Sequence, residues 1–225
     1  MTEGRVIDEA TAAAGDLGIA FTPYPRSGAG FLAVAAERDI GSSALTRQAL
    51  AYMLDYEVLP RDFLGGHGER VYGYYGLGQW MAEEMRDELQ TMQSYTLDLA
   101  KAAELLAQDG WIYNAQGEPY VPGEGLLRHK QFGEAFLPLS VNMAVTERNK
   151  AADLVAGMLG QGLREVGGEL QVTGMPLNRA LQQYYRQNTR TYDLLFLGSN
   201  FSYLFDPTNT YLVGAEYQGT MNTSG

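Results

Sequence analysis

The residues with the clearest chemical potential lie in GSNFSYLFDP, residues 198–207. Asn200, Ser202 and Tyr203 offer hydrogen-bond donors and acceptors, and Phe201 and Phe205 offer apolar ring faces. Small-molecule pockets combine apolar walls with a few placed polar groups of this kind. The composition is typical of a ligand-binding loop, and the alternative is that the two phenylalanines pack beneath the loop while Ser and Asn side chains cap the next turn.

A second candidate stretch is the glycine-rich segment 64–80, which ends in VYGYYGLGQW. Its tyrosines and tryptophan can stack on a ligand or pack at the foot of the loop. Long irregular loops in compact domains are often functional. We therefore predict that Tyr74, Tyr75 and Trp80 contribute to binding, within a wider loop from Tyr72 to Trp80.

Catalytic and metal-binding signatures are missing from the sequence. His67 and His129 are the two histidines, neither has a second ligand at helical or turn spacing, and there is no cysteine. The GxSxG, HExxH and P-loop patterns do not occur. The acidic run 82–88 is typical of a solvated helical face. We predict no catalytic residue, metal or cofactor; the rival is an α/β hydrolase using Asp206 or the acidic run.

Composition and charge exclude some classes of protein and some classes of partner. The chain has 225 residues, 45% of them hydrophobic, and a formal net charge of -11. This charge repels nucleic-acid phosphates, so we predict no nucleic-acid partner. The N-terminal sequence lacks the pattern of a signal peptide, and no apolar run approaches the roughly 20 residues that span a bilayer.

The last third of the chain alternates strand and helix patterns. The residue patterns at 136–145, 169–174 and 192–199 predict three strands. A long helical stripe from Ala151 separates the first two, and Pro176 opens a helix before the third. This β-α-β-α-β order predicts an α/β fold with a largely parallel sheet. Because ligands bind at the carboxyl ends of such strands, the third strand delivers Ser199 and its neighbours to the expected site.

The first two thirds are less regular. Extended pieces at 17–21 and 31–36 predict a strand-rich entry segment. Apolar spacing after the capping candidates Ser42 and Ser43 predicts an amphipathic helix, and Asp98 is the expected cap of a second helix that stops at Gly110. We thus divide the chain into an entry segment (1–40), helices and long loops (41–134), the β-α-β-α-β unit (135–212) and a tail (213–225).

Four segments in order resemble one family. They are LTRQALAYMLDYEVLPRDFLGGHG, LDLAKAAELLAQDGW, NKAADLVAGMLGQGLREVGGELQV and YDLLFLGSNFSYLFDP. The first two are similar to an Arg-Gln-Ala helix followed by a glycine pair, and to an Asp-x-x-Lys-Ala helix ending in Gly-Trp. These features, within about residues 17–212, resemble the extracellular solute-binding proteins, family 5, that serve ABC transporters for dipeptides, oligopeptides, nickel or sugars.

The resemblance implies a fold, a location and partners. Complete members are two-lobed clamshells of the type II periplasmic-binding-protein class, and this chain matches a single lobe with a mixed, largely parallel sheet flanked by helices. It implies a bacterial, extracytoplasmic and membrane-tethered lipoprotein that is not an enzyme. Its expected partners are a peptide or small-molecule ligand, the missing first lobe of the same protein and an ABC transporter permease.

One departure from the family bears on the ligand. Peptide-binding members commonly place an Asp shortly after the glycine of the last strand, where this chain has Ser199, Asn200, Phe201 and Ser202. A neutral site lacks the charge-assisted bond to a peptide amino group. Asp206 matches the Asp of the family's Asp-Pro pair. The expected ligand-binding residues are Ser199, Asn200, Phe201, Ser202, Tyr203, Asp206, Tyr74, Tyr75 and Trp80, and the ligand is a peptide, a sugar or another polar molecule. A sensory or protein-docking module built on the same lobe is the alternative function.

Overall fold

The computed structural model describes residues 3–124 and 126–204. Phe205, Asp206 and the predicted tail 213–225 lie outside the described residues. The described chain forms two compact units. The first unit comprises residues 3–31, 56–94 and 197–204, and the second comprises residues 32–55, 95–124 and 126–196.

The helices are α1 Gly4–Asp16, α2 Asp39–Ser42, α3 Ala44–Ala51, α4 Trp80–Glu84, α5 Arg86–Gln90, α6 Leu99–Gln108, α7 Lys150–Glu165 and α8 Leu177–Tyr184. A π-helical turn occupies Leu59–Phe63. The strands are β1 Gly28–Val34, β2 His129–Phe132, β3 Ala135–Pro138, β4 Ser140–Thr146, β5 Glu169–Met175 and β6 Leu194–Asn200. Among the helices of the described part, none is long and apolar enough to cross a membrane.

The larger sheet has the strand order β1-β6-β4-β5. Strand β4 lies parallel to β5 and to β6. Strand β1 runs antiparallel to β6, since Ala35 N donates to Asp193 O and Phe201 N donates to Ser27 O. Helices α7 and α8 supply the crossovers, so the predicted α/β class with a mixed, largely parallel sheet is confirmed.

A buried carboxylate fixes the beginning of β6. Asp193 is almost fully buried and accepts hydrogen bonds from Arg38 Nε at 2.6 Å and from the backbone N of Asn142 at 2.8 Å. A buried charge is tolerated when it is paired and hydrogen-bonded in this way. The contacts tie the beginning of β6 to β4 and to the segment that follows β1.

The second unit is built around α7 and the sheet. Asn149 caps α7 by accepting a hydrogen bond from Ala152 N at 3.2 Å. Leu159 and Leu163 on the apolar face of this helix are fully buried. Gly162 allows a close approach, because a Cβ there would come within 2.7 Å of the Cβ of Met53. The predicted apolar stripe of this helix therefore faces the core.

Of the predicted helix caps, Asp98 of α6 is confirmed and Ser43 of α3 is wrong. Asp98 accepts a hydrogen bond from Lys101 N at 2.9 Å, as expected of an N-cap. Ser43 stands at the N-cap position of α3 but makes no capping bond. Its hydroxyl instead donates to Asp109 Oδ1 at 2.5 Å, because the carboxylate is the stronger acceptor.

Two predictions about strands were wrong. The entry segment contains the helix α1 and the strand β1, and residues 17–21 form no strand. Alanine-rich composition and the ion pair between Arg5 and Glu9 favour α1, although its N-cap Glu3 makes no capping bond. The predicted strand 136–145 is two strands, because β3 pairs antiparallel with β2 while β4 joins the larger sheet.

Candidate functional site

The predicted loop begins at the carboxyl end of β6. Ser199 and Asn200 are the last residues of the strand, with Ser199 half-buried and Asn200 exposed. Phe201 is buried, whereas Ser202 and Tyr203 are exposed, Tyr203 at 61%. The polar groups of this strand end are therefore accessible and its phenylalanine is not.

The segment before β1 anchors this strand end. Phe201 N donates to the carbonyl of Ser27 at 2.7 Å, and Arg26 Nη2 donates to Asn200 Oδ1 at 3.0 Å. Gly28 also lies close, because a Cβ there would come within 2.5 Å of Asn200 Oδ1. Arg26 places a positive charge beside the predicted binding residues.

An aromatic cluster joins the tyrosine-rich loop to the strand end. The ring of Tyr74 packs edge-on against Phe201, with centroids 4.8 Å apart, and against Phe31 at 5.1 Å. Edge-to-face pairs at such distances stabilise packing. The structure brings the rings of Tyr74 and Phe201 into contact and buries Phe201, which is the alternative stated above in which this ring packs beneath the loop.

Gln79 is a site residue that the sequence reasoning missed. Its side chain is 1% exposed; Nε2 donates to the carbonyl of Ser202 at 3.0 Å and Oε1 accepts from Gly76 N at 2.9 Å. Gly78 N donates to the carbonyl of Arg26 at 3.0 Å. A polar residue among glycines gives no sequence signal for such a long-range bond, although a buried amide that satisfies two backbone groups is a strong positional constraint.

The other two residues predicted to bind ligand, Tyr75 and Trp80, lie elsewhere in the first unit. Trp80 begins α4 and is 41% exposed. The hydroxyl of Tyr75 accepts a hydrogen bond from Tyr72 N at 3.2 Å. Both tyrosines line a cavity of about 260 Å³ formed by residues between Glu57 and Gln90.

Charged side chains contribute to the wall of this cavity. Two acidic and two basic residues line it: Glu57, Glu69, Arg70 and Arg86. The guanidinium carbon of Arg70 lies 4.3 Å from the ring centroid of Tyr56 and 5.1 Å from that of Tyr72. These cation–π contacts hold Tyr72 in the wall.

The histidines serve structural contacts. His67 Nε2 lies 2.6 Å from Asp8 Oδ1 of α1, and His129 Nδ1 lies 3.0 Å from the carbonyl of Leu127. Across residues 3–124 and 126–204, no group of three or more His, Cys, Asp or Glu side chains is arranged to hold a metal ion.

Solved structures share the fold at low sequence identity. The oligopeptide-binding protein AppA from Bacillus subtilis, in complex with a nonapeptide, is 17% identical, with a TM-score of 0.65 over 90% of this chain and 40% of that chain. NikA from Brucella suis, in complex with Fe(III)-EDTA, is 18% identical, with a TM-score of 0.63 over 88% of this chain and 36% of that chain.

A third structure gives the same result. The oligopeptide-binding protein from Thermus thermophilus, complexed with a pentapeptide, is 16% identical, with a TM-score of 0.67 over 83% of this chain and 30% of that chain. The chain thus spans well under half the length of each of these proteins. No curated protein sequence matches the chain.

The sequence also matches a protein family directly. The match covers residues 4–220 and is to the family described as bacterial extracellular solute-binding proteins, family 5 Middle. It includes both units and every predicted site residue. The chain therefore belongs to the bacterial extracellular solute-binding proteins of family 5.

Proposed function

We propose that this chain is the ligand-binding lobe of an extracellular solute-binding protein that delivers a peptide or a related small polar solute to an ABC importer. Family membership supports a binding role outside the cytoplasm. A bacterial lipoprotein anchored at the cell surface or in the periplasm, with an ABC transporter permease as partner, is the setting we propose.

The observation that carries this proposal is the anchored strand end from Ser199 to Tyr203. Backbone bonds and the side chain of Gln79 fix the main chain, while Asn200 and Ser202 remain exposed. Preorganised polar groups lose little conformational entropy on binding. Asn200 and Ser202 orient the ligand, and Tyr203 covers an apolar face.

The other candidate residues take supporting roles in this proposal. Trp80 is exposed and contributes a second apolar face, whereas Phe201 and Tyr74 position the strand end through their ring contact. Tyr75 lines the cavity of the first unit. Asp206 lies outside the described residues and keeps its proposed place in the ligand-binding set.

A second lobe is part of the proposal. The chain spans 40% of AppA and 36% of NikA. We infer that another part of the complete protein supplies the opposite wall, and that hinge closure of the two lobes encloses the ligand.

A thermal-shift screen of the full-length protein tests this function. The ligands are dipeptides, oligopeptides, sugars and nickel, with hits confirmed by calorimetry. A ligand that binds the folded state raises the melting temperature. We expect Asn200→Ala and Tyr203→Ala to reduce the shift, whereas Tyr24→Ala, at a tyrosine that is 80% exposed, leaves it unchanged.

Two outcomes contradict the proposal. A hit whose affinity is equal in Asn200→Ala, Tyr203→Ala and Tyr24→Ala removes the strand end from the binding site. No shift with any ligand class contradicts solute binding and favours the sensory or protein-docking module.

A further inference from the structure

The cavity of the first unit has the size of a site for a very small molecule. Its volume is about 260 Å³, and its lining comes from residues between Glu57 and Gln90. Pockets for drug-sized ligands occupy about 300–1,000 Å³. A ligand of amino-acid size therefore suits this cavity better than a peptide of several residues.

Two opposite charges in the lining have no partner within the part of the chain that the structure describes. Glu69 and Arg86 both line the cavity. Among the described residues, neither side chain forms an ion pair or a hydrogen bond, with the other or with any third residue. A ligand with one charge meets attraction from one of them and repulsion from the other. A zwitterion satisfies both.

The rest of the wall offers apolar and aromatic surface. Leu77, Leu89, Tyr72 and Tyr75 contribute to it. Arg70 stacks on Tyr72, and the hydroxyl of Tyr75 accepts the Tyr72 N–H, so both rings are held before any ligand enters. Such preorganisation reduces the entropic cost of binding.

We propose that this cavity binds a small zwitterion with an apolar side group, the chemistry of a free amino acid. Arg86 pairs with the carboxylate, Glu69 pairs with the ammonium group, and the apolar group lies against Tyr72, Tyr75 and Leu77. The site is separate from the strand end at Ser199 to Tyr203, and it stands whether or not that strand end binds a solute.

Calorimetric titration of the full chain with three probes tests the assignment. L-Leucine carries both charges, leucinamide lacks the carboxylate, and N-acetylleucine lacks the ammonium group. We expect leucine to bind, and each derivative to bind at least about tenfold more weakly, because each loses one charge-assisted hydrogen bond.

Substitutions assign each charge to its partner. Arg86→Gln should weaken leucine to the affinity of leucinamide, and Glu69→Gln should weaken leucine to that of N-acetylleucine. Glu83→Gln and Arg179→Gln are matched controls, because these side chains are exposed, as those of Glu69 and Arg86 are, but neither lines the cavity. Circular dichroism confirms that all four variants keep the fold.

Three results overturn the assignment. They are the absence of leucine binding at millimolar concentration, equal affinities for the three probes, and leucine affinity unchanged by both Arg86→Gln and Glu69→Gln. If the two cavity variants leave leucine binding intact and Asn200→Ala abolishes it, the ligand belongs to the strand end. The proposed function then stands while the cavity site fails.

Discussion

Gln79 Nε2 donates a 3.0 Å hydrogen bond to the backbone carbonyl of Ser202, and the same side chain accepts a bond from Gly76 N. Replacing Gln79 with Leu keeps the volume but removes both bonds. A backbone group left unsatisfied in a buried position costs about 1–3 kcal/mol. We expect Gln79→Leu to lower the free energy of unfolding by about 2 kcal/mol in denaturant titrations.

The control for this prediction is Gln93→Leu. Gln93 is exposed, and its side chain forms no hydrogen bond with another described residue. This substitution should change the free energy of unfolding by less than about 0.5 kcal/mol. Equal unfolding midpoints for the two variants would show that the Gln79 bonds do not hold the strand end.

Gly76 lets the tyrosine-rich loop approach the segment before β1. A Cβ at Gly76 would overlap the backbone of Ser27 and lie 2.6 Å from Gly28 N. Overpacking of this kind costs about 1–3 kcal/mol, so Gly76→Ala should reduce the free energy of unfolding by that amount. Gly15→Ala in α1 meets no atom within 4 Å and should stabilise the chain by about 0.5–1 kcal/mol. Thermal melts of both variants measure the contrast, and a stabilising Gly76→Ala contradicts it.

Residues with strong preferences for helix starts predicted where two helices begin. Asp98 identified the start of α6, and Pro176 identified the start of α8, because capping and proline chemistry act within one turn. The break at Leu139 was missed because the strand-like pattern of 136–145 does not reveal that β3 and β4 join different sheets. The strands that pair with β4, which are β5 and β6, lie far from it in sequence.

The candidate site also combines residues that the sequence indicated with residues that it did not. Mixed polar and aromatic composition identified the strand end at Asn200 and the ring of Tyr74 that packs beside it. Arg26 and Gln79 were missed, since each acts across more than 100 residues of sequence. Arg86 was assigned to a solvated face, although it also lines the cavity.

Asp109 makes the stability of the second unit sensitive to acid. Burial alone favours the neutral carboxyl, but hydrogen bonds from Ser43, Thr46 and Lys130 outweigh it and hold the pKa of Asp109 below its ordinary value of 3.8. The carboxylate therefore stabilises the folded chain above pH 3.8, and this contribution is lost as the pH falls through the lowered pKa.

The acid prediction is tested with Asp109→Asn. This variant should be less stable at neutral pH, and below about pH 5 it should lose less unfolding free energy than the natural chain. Denaturant titrations across the acid range measure the slope. Asp16→Asn, at an exposed side chain, serves as the control, and parallel curves for the natural chain and Asp109→Asn would contradict the role of this carboxylate.

Tyr192 makes the stability of the folded chain fall as the pH rises into the alkaline range, the opposite of the dependence that Asp109 gives in acid. Burial raises the pKa of Tyr192 to about 12, with the Arg190 charge opposing the shift. The ordinary value is 10.0, so the stability it contributes is complete below pH 10 and is lost as the pH rises toward 12. Tyr192→Phe should remove a component near pH 12 from the tyrosinate absorbance titration and flatten the alkaline loss of stability. A titration curve unchanged by the substitution would contradict this.

Arg70 stacks on two tyrosines of the first unit, at 4.3 Å from the ring centroid of Tyr56 and 5.1 Å from that of Tyr72. Lysine keeps the charge but lacks the planar guanidinium that stacks on a ring. A double-mutant cycle of Arg70→Lys with Tyr72→Leu should therefore give a coupling energy of about 0.5–1 kcal/mol in the free energy of unfolding. The cycle of Arg70→Lys with the exposed Tyr24→Leu should be additive. If both cycles are additive, the cation–π contact does not hold Tyr72 in the cavity wall, and the wall must be fixed by its hydrogen bond to Tyr75.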